Sequence, residues 1–169
     1  KNNIISLSSY DGMLDQLIEQ RFGWSDYWKQ ALESMESFEA TEIFLNYKKI
    51  QEQWAKEHNV LFEKKNWVLS ILEKQIDAYK PEIIFFTDFG NIPRGFCAAL
   101  KRKFSYIKMI IGWDGVGHND PLLYEGYDLV LSSLPSVVTF YQQCGLRSKL
   151  FVYGFPTIVL CAINVAKQL

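Results

Sequence analysis

The fold of this chain is decided by residues 79–94, which read YKPEIIFFTDFGNIPR. Pro81 ends the preceding helix, because its ring clashes with the turn before it and it has no N–H to donate. The apolar run Ile83–Phe86 follows without polar alternation, which is typical of a strand covered on both faces in a parallel sheet. Thr87 and Asp88 then end the strand, so Asp88 is predicted at the edge where such sheets bind ligands.

Strands and helices continue to alternate after this strand. Three more strands are predicted, at residues 106–111, 128–131 and 150–153. Gly90 and Pro93 open a helix that is predicted over 92–103. A second helix is predicted to be capped by Ser133, with Pro135 in its first turn and Gly145 just past its end. The side chains expected to face inward from these helices are Phe96, Ala99, Leu100, Val137, Val138, Tyr141 and Cys144.

The residues before the opening stretch are predicted to be mainly helical. Helices are expected at residues 11–21, 25–35, from Asn46 onward and at 63–79, with a short strand at 41–45 and a further strand at 4–7. In the helix at 63–79, one stripe is formed by Trp67, Ile71, Leu72, Gln75 and Ile76. The alternation indicates an α/β protein with a Rossmann-like, mainly parallel sheet and helices on both faces. We expect one domain over residues 1–154 and a C-terminal tail at 155–169.

Composition narrows the class of protein. The chain is 49% hydrophobic and 15% aromatic, which argues against intrinsic disorder. Its net charge of −1 argues against a general affinity for nucleic acid or anionic membranes, although a local patch of basic residues stays possible. The cysteines Cys97, Cys144 and Cys161 are unpatterned, which suits a reducing compartment and predicts a cytoplasmic protein. No apolar run reaches the length of a membrane-spanning helix, and no signal-peptide pattern is present.

Three predicted strands end in polar or glycine-rich segments that would share one edge of a parallel sheet. These segments are Thr87–Asp88, Gly112-Trp113-Asp114-Gly115 and Ser132–Ser133. Asp88 and Asp114 would then face a common crevice, where a carboxylate can act as a general base or bind a sugar hydroxyl. The alternative is structural, with Asp88 capping the next helix and Asp114 making a turn with Gly115.

The loop after Asp114 also contains His118 and Asp120. As a metal site this pair is weak, because no third ligand lies nearby, so neither a metal nor a cofactor is predicted. His118 is a better candidate for an acid, a base or a hydroxyl contact, whereas His58 is expected to end its helix. Asp88-Phe89-Gly90 resembles the magnesium motif of kinases, but the sequence has neither their glycine-rich loop nor their catalytic His-Arg-Asp. Gly112, Gly115 and Gly117 do not form the G-x-G-x-x-G fingerprint of dinucleotide-binding proteins.

Several segments, taken in order, resemble the start of the spore-maturation-type glycosyltransferases of GT-B fold. They are SYD at residues 9–11, RFGWSDYW at 21–28, QWAKEH at 53–58, PEII at 81–84, YDLVLSS at 127–133, GLRS at 145–148 and YGF at 153–155. In such enzymes an N-terminal domain binds the acceptor and a C-terminal domain holds the nucleotide sugar. The chain resembles the N-terminal domain only, and starts after the family's first strand unless residues 4–7 supply it.

The resemblance implies transfer of a sugar from a nucleotide-sugar donor to an acceptor, with a second GT-B domain as partner. Asp114 or Asp88 would be the catalytic base. The residues implied in substrate binding are His118, Gly90, Gly115, Ser132 and Ser133. The chain alone is expected to turn over slowly or not at all, and its apolar tail to favour self-association.

Two other functions stay open at this point. The first is a non-enzymatic α/β binding or interaction domain that has kept the fold without the reaction. The second is a receiver-like domain with Asp88 as phosphate acceptor, which is weaker because the acidic pair and the lysine that such domains carry are absent from the sequence.

Overall fold

The computed structural model describes residues 9–20, 26–88, 92–152 and 154, and it divides the chain into two compact units, Lys1–Lys74 and Gln75–Leu169. The predictions for residues 4–7, Ser25, Gly90 and the tail at 155–169 lie outside the described residues. The predicted domain boundary at residue 154 therefore stays a prediction.

The first unit is helical. Its helices are α1 (Tyr10–Glu19), α2 (Tyr27–Glu33), α3 (Lys48–Glu57) and the first part of α4 (Trp67–Tyr79), which a 3-10 turn at Lys64–Asn66 precedes. Ser9 caps α1 by accepting a hydrogen bond from the Gly12 N–H, as its residue type favours. The apolar core of this unit consists of Tyr10, Met13, Ile50, Trp54, Ala55 and Ile71. The stripe predicted on α4 is confirmed, since Ile71, Leu72, Gln75 and Ile76 are all buried.

Two predictions in the first unit are wrong. Residues 41–45 form no strand, and their polar groups bond outside any sheet: Gln51 Nε2 donates to the Phe44 carbonyl at 3.1 Å, and Glu42 Oε1 accepts from the Lys29 N–H at 3.1 Å. Asn46 is not a helix cap, because α3 begins one residue later than that would require, with Tyr47 at its N-cap. Hydrogen bonds to residues of α2 and α3 thus override the local sequence signal here.

The second unit contains a four-stranded sheet. Its strands are β1 (Ile83–Phe86), β2 (Met109–Trp113), β3 (Leu129–Ser132) and β4 (Ser148–Leu150), in the spatial order β1-β2-β3-β4 and all parallel. The register pairs Phe86 with Gly112 and Gly112 with Val130. The prediction of an α/β, Rossmann-like chain with a parallel sheet is therefore confirmed at this level.

Several element boundaries differ from the predictions. Helix α5 (Phe96–Lys103) begins four residues late, because its N-cap Gly95 takes the left-handed conformation with φ 76°. β2 begins three residues later than predicted, because the Phe104 N–H donates to the Leu100 carbonyl at the end of α5 and the Ile107 N–H donates to the Phe104 carbonyl in a turn. β4 begins two residues earlier than predicted. Helix α6 (Pro135–Gln143) has Leu134 as its N-cap, so the prediction that Ser133 caps it is wrong, whereas Pro135 and Gly145 lie where they were expected.

The sheet and its connections pack together on one face. Tyr124, from the 3-10 turn Pro121–Tyr124 between β2 and β3, and Tyr141 of α6 both pack on Val130 of β3. The buried residues are Cys97 and Leu100 in α5, and Val138 and Tyr141 in α6. Ala99 and Cys144 are exposed, so the prediction that they face inward is wrong. The strand β1 was predicted to be covered on both faces, which is wrong for its first residue, because Ile83 is 48% exposed. Helices on both faces stay a prediction.

Gly126 allows the backbone of the β2–β3 connection to lie close against the backbone of α5. A Cβ at Gly126, which has φ 91°, would lie 2.2 Å from the backbone nitrogen of Ala98 in α5. We expect Gly126→Ala to lower the free energy of unfolding by about 3 kcal/mol, because backbone would have to move in addition to the left-handed strain. Gly145→Ala is the control: it has φ 82° but no heavy atom within 4 Å of the new Cβ, so it should cost only about 1 kcal/mol. Equal losses in urea unfolding would contradict the close approach.

A half-buried carboxylate in the first unit, Glu42, gives the stability of this unit a pH dependence. Burial, aided by the charge of Asp26 and opposed by the Lys29 N–H, raises the pKa of Glu42 from 4.5 to about 7. The folded state thus holds this proton more tightly than the unfolded chain, and the resulting stability is present below pH 4.5 and lost as the pH rises through about 7. Urea unfolding should show Glu42→Gln gaining free energy of unfolding over the wild type above pH 7 but not near pH 4.5. Glu39→Gln, at an exposed position, should show no such trend.

Candidate functional site

The candidate site is built around Asp114, the first residue after β2. Its side chain is 0% exposed although it follows the strand at the sheet edge. Its backbone N–H donates to the Leu131 carbonyl at 2.8 Å, which extends the β2–β3 pairing by one residue. The carboxylate is therefore held at a fixed position next to the strand ends.

One carboxylate oxygen of Asp114 is held by the loop that follows. Oδ1 accepts hydrogen bonds from the Val116 N–H at 3.0 Å and the Gly117 N–H at 2.8 Å. Gly117 has φ 80°, and a Cβ there would lie 2.7 Å from Val137 Cγ2 of α6. Glycine is thus required both by the turn that aims its N–H at Asp114 and by its contact with α6.

The other carboxylate oxygen accepts from three side chains. Tyr124 donates its hydroxyl hydrogen to Oδ2 at 2.6 Å, Tyr141 makes a very short hydrogen bond to the same atom, and His118 Nδ1 lies 3.1 Å away. The two tyrosine hydroxyl oxygens are 2.9 Å apart, and that of Tyr124 lies 3.1 Å from His118 Nδ1. We call Asp114, His118, Tyr124 and Tyr141 the Asp114 cluster.

The hydrogen bonds fix the protonation states in this cluster. Burial alone would raise the pKa of Asp114, but the donors Tyr124, Tyr141, Gly117 and His118 outweigh it and hold that pKa well below the ordinary value. Burial and the bond to Asp114 raise the pKa of Tyr124 far above its ordinary range and that of Tyr141 to about 12. At neutral pH the cluster therefore contains one carboxylate and two neutral phenols.

His118 is the member of the cluster that reaches solvent, with its side chain 38% exposed. Its backbone N–H donates to the Tyr141 hydroxyl at 2.9 Å, which holds the residue at its main chain. Because an ionised carboxylate only accepts hydrogen bonds, the ring nitrogen Nδ1 must carry the hydrogen, and the basic lone pair then lies on Nε2. A half-exposed imidazole oriented by a buried carboxylate can take a proton from a substrate hydroxyl.

The structure brings some of the other predicted residues to the same edge. Asp88 is exposed and lies two residues beyond Phe86, whose register partner Gly112 is two residues before Asp114. Gly115 is exposed, and Ser133 is half-buried. Ser132 is fully buried, and its Oγ accepts from the Leu134 N–H at 3.2 Å. The Ser132 hydroxyl thus shapes the turn after β3, and its contact with a substrate stays a prediction.

Asp120 and His58 have structural roles. Asp120 Oδ1 accepts from the Leu122 N–H at 3.0 Å and caps the 3-10 turn. His58 ends α3, as predicted, and stacks on Trp54 with ring centroids 4.2 Å apart. Among the described residues, no group of three or more His, Cys, Asp and Glu side chains could hold a metal ion.

The two tyrosines of the cluster were missed from the sequence as site residues. Tyr141 was expected as an inner residue of α6, which it is, while Tyr124 carried no signal. A tyrosine at an inner helix position has a hydroxyl that needs a buried partner. With Asp114 at a strand end, this need was the only available hint of the pairing.

Comparisons with known proteins identify no relative: no family model matches the chain, and no curated protein or solved structure shows significant similarity to it. None of the described helices has both the length and the apolar character that a bilayer-spanning segment requires. The function must therefore be argued from the Asp114 cluster itself.

The charge of Asp114 should be visible in the stability of the protein. Five donors surround the carboxylate of Asp114. Asp114→Asn replaces one of its acceptor oxygens by an NH₂ group that only donates, so we expect the free energy of unfolding at neutral pH to fall by about 3 kcal/mol. The wild-type pKa is depressed, so this stability is present above the unfolded value of 3.8 and is lost as the pH falls below it. Denaturant unfolding of both proteins from neutral to acid pH measures the difference.

Asp120→Asn is the matched control for this experiment. An asparagine can still accept from the Leu122 N–H and cap the 3-10 turn, so its effect should stay within about 0.5 kcal/mol. A loss for Asp114→Asn as small as that for Asp120→Asn would show that the hydrogen bonds to Asp114 contribute little.

Proposed function

We propose that this chain is the acceptor-binding half of a glycosyltransferase of GT-B fold, and that His118 is its catalytic base. The observation that carries the proposal is the pair of His118 and the buried, ionised Asp114 at the carboxyl edge of the parallel sheet. Ligands bind at this edge in open α/β sheets. The ordered resemblance to spore-maturation-type enzymes supplies the class of reaction.

The geometry favours His118 over Asp114 as the base. Both oxygens of Asp114 are already occupied by donors, and its lowered pKa makes it a poor proton acceptor. In the proposed reaction, Nε2 of His118 takes the proton of an acceptor hydroxyl. The hydroxyl oxygen bonds to the anomeric carbon of the donor sugar, and the nucleotide phosphate departs with the electrons of the broken bond. Asp114 stabilises the imidazolium that forms, as a triad carboxylate does.

The remaining predicted residues surround this reaction in the proposal. Asp88, exposed at the neighbouring strand end, would accept a hydrogen bond from another hydroxyl of the acceptor. Gly115 and Ser133 would form the wall beside His118. The donor nucleotide would be held mainly by the second domain that the resemblance implies.

A binding domain without the reaction is the second candidate. The observation that favours it is the complete burial of Asp114, because a carboxylate with a purely structural role also needs all its oxygens bonded. In that case His118 would contact a ligand hydroxyl without removing its proton, and ligand binding would not depend on the ring tautomer.

NMR of the two histidines tests the site directly. The chain contains only His58 and His118, so nitrogen-15 labelling of histidine gives one site signal and one internal reference. We expect His118 to show the Nδ1–H tautomer in the wild type and the Nε2–H form in Asp114→Asn, because the asparagine amide can donate to Nδ1. His58 should not change. A His118 signal with Nε2–H in the wild type would contradict the assignment.

Titration with nucleotides, nucleotide sugars and simple glycosides then identifies ligands. Glycosides should shift the His118 signals and leave those of His58 in place. In a transfer assay that includes the donor-binding domain, His118→Gln should abolish turnover and Asp114→Asn should lower it by up to about 10⁴-fold. Full turnover in His118→Gln would refute the base assignment, and glycoside binding without turnover would favour the second candidate.

A further inference from the structure

The strand-start edge of the sheet, opposite the Asp114 cluster, carries exposed basic residues. We call Lys80, Arg102, Lys103 and Arg147 the basic edge; all four are exposed. Lys80 precedes β1, Arg102 and Lys103 end α5, and Arg147 precedes β4. Parallel strands start on the same side of a sheet, which is why residues far apart in sequence lie along the same edge.

Hydrogen bonds between the strand starts place these residues at one edge. The Lys108 N–H donates to the Glu82 carbonyl at 2.7 Å, and the Val130 N–H donates to the Arg147 carbonyl at 2.9 Å. The end of α5 is tied to the same edge, because Lys101 Nζ bonds to Asp128 Oδ1 at 2.6 Å. Arg102 and Lys103 follow Lys101 directly.

The acidic residues of this edge are largely neutralised by partners. Glu82 forms an ion pair with Lys108, and Asp128 accepts from both Lys101 Nζ and the Ile110 N–H. Among the residues that the structure describes, Asp77, exposed in the last turn of α4, is the third carboxylate near this edge. With Lys101 and Lys108 included, the described residues of this edge carry six basic side chains against the three carboxylates Glu82, Asp128 and Asp77, which leaves a net positive charge.

Two apolar side chains lie beside the basic edge. Tyr79 is 37% exposed and Ile83 is 48% exposed, on either side of Lys80 and the start of β1. Exposed cations flanked by an aromatic and an aliphatic side chain are typical of surfaces that rest on a lipid headgroup layer. An exposed isoleucine adds nothing to the binding of a nucleic acid phosphate backbone, so the apolar residues favour the membrane surface.

We propose that the basic edge binds the anionic headgroups of a phospholipid surface, with Tyr79 and Ile83 entering the headgroup layer. The opposite edge carries Asp88 and Asp120, which are exposed, and an anionic surface repels it. The chain would thus lie with its strand starts on the membrane and the Asp114 cluster facing away from it. This inference is independent of the proposed reaction.

Vesicle sedimentation tests the proposal on this chain. Vesicles of equal parts phosphatidylglycerol and phosphatidylcholine should bind the wild type, pure phosphatidylcholine vesicles should not, and added salt should weaken the binding. Each basic residue near an anionic surface contributes about fivefold in affinity, so the triple variant Arg102→Gln, Lys103→Gln, Arg147→Gln should bind roughly a hundredfold more weakly.

Two further variants make the test specific. The control Lys49→Gln, Lys64→Gln, Lys65→Gln removes the same charge from exposed positions in the first unit and should bind as the wild type does. Ile83→Thr, which keeps the branched Cβ and adds no charge, should bind several-fold more weakly because it loses apolar contact. Thermal unfolding confirms that each variant is folded.

Four results would overturn the proposal. They are absence of wild-type binding to the anionic vesicles, equal losses in the two triple variants, unchanged binding of Ile83→Thr, and tighter binding of an RNA oligonucleotide than of the vesicles. The last would assign the basic edge to nucleic acid.

Discussion

The arrangement at the carboxyl edge of the sheet depends on a single buried negative charge. A carboxylate without solvent is stable only when its oxygens accept enough hydrogen bonds. Asp114 meets this need by drawing on the turn at Gly117, the 3-10 turn at Tyr124 and the helix at Tyr141. Two parts of the β2–β3 connection and the helix α6 of the β3–β4 connection are thereby fixed around one carboxylate, and His118 is oriented by the same cluster of bonds.

At the opposite end of the sheet, a second carboxylate, Asp128, is also held by hydrogen bonds to both of its oxygens. Asp128 bonds to a backbone N–H of β2 through one oxygen and to Lys101 through the other. Its partner is a cation and its side chain stays partly exposed, so its charge is balanced locally. Asp114 has only neutral donors and His118 around it, which leaves its charge available to stabilise a cation that forms on the imidazole.

The sequence was most informative where local chemistry and tertiary structure agree. The strand at Ile83–Phe86 and the buried stripe of α4 could be predicted because apolar patterns are local signals, although the run in β1 overstated the burial of Ile83. Asp114 and His118 could be placed together because a strand end followed by a glycine-rich loop is a local signal. Tyr124 and Tyr141 could not be joined to them, since their pairing depends on how α6 and the 3-10 turn pack on β3. The segment at 41–45 was misjudged for a similar reason, because it bonds to the Gln51 side chain of α3 and to the backbone N–H of Lys29 in α2.

The glycine at position 126 has an evolutionary consequence. Its backbone lies so close to that of α5 that no other residue fits without moving a helix, and Gly117 is held to glycine by its positive φ and by the side chain of Val137 in α6. Any descendant of the same ancestor that keeps this layer should therefore keep both glycines, in fixed spacing with the residues that bond to Asp114. The pattern D-x₂-G-H-x₅-Y-x-G-x₁₄-Y, from Asp114 to Tyr141, is a structural fingerprint by which distant relatives could be recognised even after their overall similarity has been lost.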